Sequence, residues 1–125
     1  MILASRLALT SALLWFVAAT WVGLFLGLGF LPYTWRPAHA HMQLLGFVGL
    51  MIYGVAYHAL PRFRGVVFRR PGLALLQVGL ANLGLGGMAL SWGFAWGAGI
   101  WGFFAGVSAL AGLLFALLML EVLWG

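Results

Sequence analysis

Three histidines, His39, His41 and His58, stand in a chain of 125 residues that has almost no other ionisable group near neutrality. There is no cysteine, and Glu121 is the single acidic residue. Disulfides, zinc–thiolate sites, iron–sulfur clusters and thioether-linked haem are therefore excluded. Any metal chemistry here must run through imidazole. His39 and His41 are two residues apart, which on an α-helix is a rotation of about 200°. Their rings then leave the helix on nearly opposite faces. One ion chelated by one helix needs partners at i, i+3 or i, i+4, so this pair suits two partners, one on each side. Zinc or copper asks for three or four converging ligands. Haem asks for one or two axial imidazoles and an apolar pocket. A b-type haem is the favoured cofactor, and copper is a lesser candidate.

The neighbours of the pair refine this expectation. On a regular helix the face of His39 continues through Gln43, Gly46, Leu50, Tyr53 and Tyr57. Gln43 can hydrogen-bond a polar group, and Gly46 removes bulk where a flat cofactor could lie. The face of His41 continues through Leu45, Val48, Ile52 and Val55, an apolar wall. His39 and His41 are thus the candidate metal ligands, with Gln43, Gly46 and His58 as further candidates for cofactor contact. His58 is 17 residues beyond His41, about 25 Å along the axis, so the two cannot share one iron. At a helix end, His58 reads first as an interfacial residue. Met42, Met88 and Met119 are weak potential ligands that read better as packing.

The elements that must carry these residues follow from composition. Hydrophobic residues make up 66% of the chain and charged residues only 6%, against roughly 25% charged in a soluble domain. Mean hydropathy is +1.15. A water-soluble domain and a disordered chain are excluded. A net charge of +5 is too small for a nucleic-acid-binding face. About 20 apolar residues cross a bilayer as a helix, and four stretches qualify, at about residues 7–31, 38–60, 73–92 and 98–124. The fold predicted is all-α, a single four-span integral membrane helix bundle over residues 1–125. The first stretch is longer than a signal-peptide core of about 7–15 residues, and it is expected to be retained.

Arginines set the expected orientation. Arg62, Arg64, Arg69 and Arg70 lie between spans two and three, and Arg6 precedes span one. Only Arg36 lies on the other side. Both termini are thus expected in the cytoplasm of a cell with a bacterial-type inner membrane, the arginines meeting lipid headgroups. Most of the seven tryptophans fall near span ends as an interfacial belt. Gln77 and Asn82 are expected to bridge helices, and Glu121 to pair with a loop arginine. Gly23-x-x-x-Gly27, Gly93-x-x-x-Gly97 and Gly102-x-x-x-Gly106 have the spacing of close helix contacts, within the bundle first and between copies second.

The run Ala38-His39-Ala40-His41, followed by Gly46, Gly54, His58 and Pro61-Arg62, resembles the tenth helix of subunit I in the haem–copper oxidase superfamily. That superfamily includes cbb3-type oxidases and nitric oxide reductases. The resemblance covers about a quarter of the chain. It implies that His39 matches the ligand of a high-spin haem and His41 that of a low-spin haem. It also implies a helix running inward with the pair near the outer side, which agrees with the arginine count. In that superfamily subunit I is built of three four-helix arcs, and this chain resembles one arc. It departs from the pattern in having no second histidine pair, no His-Glu-x-x-Tyr segment and no chain of acidic residues. A binuclear oxygen- or NO-reducing centre is not encoded in this chain alone, and no catalytic residue is assigned.

The expected function is a small oligomeric haem-binding membrane protein for electron transfer or for binding NO or O2. Its partners would be the lipid bilayer and either further copies of itself or a larger respiratory complex. The alternative is a non-catalytic accessory or assembly subunit of a respiratory oxidase or nitric oxide reductase. A transporter is disfavoured because the spans lack an intramembrane carboxylate.

Overall fold

The computed structural model describes residues 1–125 and is entirely helical. Helix α1 spans Leu3–Gly27, α2 spans Trp35–Arg64, α3 spans Pro71–Gly93 and α4 spans Ala98–Trp124. Each is long and apolar enough to cross a membrane, and there is no strand. This is the make-up of a multi-pass membrane protein.

Local chemistry sets the helix ends. The first span lies four residues earlier than the hydropathy alone suggests. Gly29 takes a left-handed conformation (φ 78°), and the amides of Gly29 and Phe30 turn back to the carbonyls of Leu26 and Phe25. That pattern closes a helix and satisfies its last carbonyls. Helix α2 is longer than expected at both ends. Pro37 sits in its first turn, where no ladder hydrogen bond is lost. Pro61 does not stop it. The helix runs on to Arg64 and ends at left-handed Gly65 (φ 64°), with Val66 N–H donating to the Pro61 carbonyl. Helix α3 opens on Pro71 at its first position. It closes on Ala95, a non-glycine residue at φ 54°.

Within α2, residues Met42–Gly49 form a π-helix. The wider turn advances the chain by fewer degrees per residue than an α-helix. The faces on either side of it therefore do not follow one 3.6-residue period.

Helices α2 and α3 form the middle of the molecule, and α1 and α4 flank them without approaching each other. Helix α1 meets α2 with small residues: Ala4, Ser5, Ala8, Ala12 and Ala19 are all buried. The Ser5 hydroxyl donates to the Gly54 carbonyl across that seam. Helix α3 meets α4 at Gly84, where an added Cβ would lie 2.7 Å from the Ser108 amide nitrogen. Side-chain amides tie the middle together. Tyr57 Oη donates to Gln77 Oε1 at 2.9 Å, and Gln77 Nε2 donates to the Ala111 carbonyl at 3.1 Å. Trp15 Nε1 donates to Asn82 Oδ1 at 2.9 Å, and Asn82 Nδ2 reaches Ser11 Oγ at 3.2 Å. The expected bridging by Gln77 and Asn82 is present, and Glu121 pairs with Arg70 at 2.8 Å. Of the glycine pairs, Gly23 and Gly93 are packed against His39 and Trp35. Gly102 and Gly106 face open space.

Candidate functional site

His39 and His41 lie on the last turn of α2 before the π segment. They leave the helix toward different neighbours. His39 is half-buried against α1. Its Nδ1 is 2.8 Å from the Ala19 carbonyl oxygen, and its ring lies over Gly23, where an added Cβ would come within 2.7 Å of Cε1. His41 faces α3. Its Nδ1 is 2.9 Å from the Pro37 carbonyl oxygen, and its ring centre is 4.5 Å from that of Trp92. Trp92 in turn contacts Trp101 at 5.7 Å. The two imidazoles serve separate surroundings, and no group of three or more metal-ligating side chains converges.

The hydrogen bonds assign the protons. A carbonyl oxygen only accepts, so Nδ1 must carry the hydrogen in both rings. In the neutral ring Nε2 is then the lone-pair nitrogen, and neither Nε2 has a protein partner. An Nδ1–H held by a backbone carbonyl is the arrangement that orients a ligating imidazole and raises its basicity.

The platform beneath His41 is fixed from two sides. Thr34 Oγ1 donates to the Gly93 carbonyl at 2.9 Å. The Trp35 indole covers Gly93, where an added Cβ would lie 2.5 Å from the ring. These contacts lock the start of α2 to the end of α3. A shallow groove beside them is lined by Tyr33, Thr34, Pro37, Ser91, Trp92 and Trp101. Tyr33 also carries the Arg36 guanidinium 4.7 Å above its ring.

Gly46 is placed differently from the expectation. It is buried, and an added Cβ would lie 2.7 Å from Trp15 Cβ and 2.8 Å from Leu85 Cδ2. The Trp15 indole, held by Asn82, fills the space that Gly46 opens. This glycine serves the approach of α1, α2 and α3, and no slot for a flat group lies beside it. Gln43 is half-buried at the start of the π segment and makes no hydrogen bond within the chain. The apolar wall below His41 is the outer surface of α2, with Val48, Ile52 and Val55 exposed. His58 stands apart near the other end of α2, half-buried and without a hydrogen-bond partner. Met42, Met88 and Met119 are all buried; Met42 packs with Ala19, Ala38 and Ala89.

Read from sequence as a belt residue, Trp92 in fact stands beside His41, with Trp101 behind it. The signal was available. Antiparallel α2 and α3 bring the end of one beside the start of the other, so a tryptophan at the end of α3 must fall near the pair. No protein-family model, no curated protein and no solved structure matches this chain.

Proposed function

We propose that the chain is a small oligomeric membrane protein that holds b-type haem near the end of the bundle marked by Arg36, through His41 and, on the other side of α2, His39. On this reading it is related to one four-helix arc of oxidase subunit I. The carrying observation is that Nδ1 of both rings is held by a backbone carbonyl, so that Nε2, the lone-pair nitrogen of the neutral ring, is left without a partner in the chain. Haem iron, when bound, supplies reversible one-electron transfer or a site for a diatomic gas. The chain's own residues orient and shield. The Ala19 and Pro37 carbonyls hold the ring planes, and Trp92 walls one side of His41. Both histidines sit at the surface of a single chain, so a macrocycle gripped by either needs a second surface to cover it. A further copy supplies that surface most simply.

The arginine imbalance supports an orientation with both termini in the cytoplasm and the pair near the outer face of a bacterial-type inner membrane. The residues of a binuclear centre are absent from the chain, so the proposed role is binding or electron transfer rather than catalysis.

The test is an ultraviolet–visible spectrum of the purified, haem-supplemented protein beside His39→Ala, His41→Ala and His58→Ala. A Soret band is expected in the wild type and in His58→Ala. His41→Ala should lose most of it, and His39→Ala should lose a part or change the spin state. No Soret band in the wild type overturns the reading. A colourless chain that co-purifies with a large haem protein would make it an accessory subunit instead.

A further inference from the structure

The opposite end of the molecule carries a second site. The end of α2, the loop to α3 and the end of α4 enclose a pocket of about 80 Å³, lined by Arg64, Arg69, Arg70 and Glu121 over a floor that includes Phe68 and Leu118. Its volume is on the scale of a small anion. Three guanidinium groups face one carboxylate there, leaving a surplus of positive charge.

The arginines are held in a particular way. Arg64 donates Nε–H to the Val122 carbonyl at 3.4 Å, and Arg70 donates Nε–H to Glu121 at 2.8 Å. In both, the inner nitrogen is used, while the two terminal NH2 groups keep donors to spare. Arg69 makes no hydrogen bond within the chain, so its whole fork is available. Guanidinium forks of this kind match the oxygens of a phosphate ester in geometry and charge. Two of them are already oriented before any ligand arrives.

The surroundings favour one source of that phosphate. Phe63 and Val67, on either side of the turn at Gly65, are 82% and 86% exposed. Leaving such side chains in water forfeits the free energy of burying them. Val67 lines the pocket together with Arg64, Arg69 and Arg70, and Phe63 ends an apolar groove along the outer face of α2 that runs up to the same level. A lipid surface satisfies both at once.

We infer that this pocket binds the phosphate of an anionic phospholipid headgroup, with Arg64, Arg69 and Arg70 as donors and Phe63 and Val67 inserted beside the acyl chains.

The test uses the full chain in neutral detergent micelles, titrated with phosphatidylglycerol or phosphatidylcholine, with bound lipid read by native mass spectrometry. Phosphatidylglycerol should be retained in preference to phosphatidylcholine. Arg69→Gln removes a side chain with no partner in the chain, so the fold should stand. It should weaken phosphatidylglycerol retention about fivefold, the effect of one basic residue at a lipid surface. Arg36→Gln, at the far end, removes the same charge and should leave retention unchanged. Equal retention of the two lipids overturns the inference, as does an Arg69→Gln variant that behaves as wild type or an equal loss in Arg36→Gln. Inorganic phosphate alone should not displace the lipid at millimolar concentration. Displacement by it would assign the pocket to a free phosphate and overturn the lipid assignment.

Discussion

An imidazole in an apolar helix costs little only when its N–H has a partner. His39 and His41 both solve this with a backbone carbonyl, and the solution decides which nitrogen faces outward. The consequence is testable at Gly23. An alanine there would place a methyl 2.7 Å from His39 Cε1, so the ring must turn or shift. On the proposed reading, Gly23→Ala should perturb the part of a haem spectrum that depends on His39 and leave the His41 part intact. An unchanged spectrum would remove His39 from the ligand set. At the centre of the bundle, Tyr57→Phe leaves the buried Gln77 oxygen without its donor. It should destabilise the protein in detergent by about 1–3 kcal/mol, and Tyr57→Phe with Gln77→Leu should recover part of that loss.

At the scale of the helix, the π segment Met42–Gly49 indexes one half of α2 against the other. Deleting Leu44 should relax the segment toward an α-helix, because the wider turn holds about one extra residue, and should leave the histidine pair facing nearly as before. Total helicity by circular dichroism and any Soret band of the wild type should both be kept. A lost Soret band would show that the extra residue itself places the histidines. This segment also explains what was legible. Long apolar runs and prolines foretold four helices, because crossing a bilayer needs only length and composition. Opposed faces for His39 and His41 were legible because two residues span too little helix for the π geometry to matter. The role of Gly46 was not legible. It lies inside the π segment, and its neighbour Trp15 is 31 residues away on another helix, so no local period could report that the gap is filled. Pro61 was misread for a related reason. Its missing N–H is tolerated one turn from the helix end, where the turn at Gly65 supplies closure.

At the scale of the molecule, charge decides direction. Arg6, Arg62, Arg64, Arg69 and Arg70 lie toward one end of the four helices, and Arg36 lies toward the other. Moving arginine-rich loops across a bilayer is opposed by the cost of desolvating guanidinium groups and by the membrane potential. The expected topology places the phosphate pocket in the cytoplasmic leaflet and the histidine pair near the outer one. The two sites are then separated by most of the bilayer, and each meets a different leaflet. The chain has no cysteine, so single cysteines introduced at Gly72, where an added side chain meets open space, and at Tyr33, strongly exposed, report the two ends without background. In intact cells a membrane-impermeant thiol reagent that enters the periplasm should label Tyr33→Cys and spare Gly72→Cys until the inner membrane is opened. The reverse pattern would put the histidine pair on the cytoplasmic side. Labelling of both in intact cells would show that the four helices do not hold a single orientation, and the arginine count would then not govern this fold.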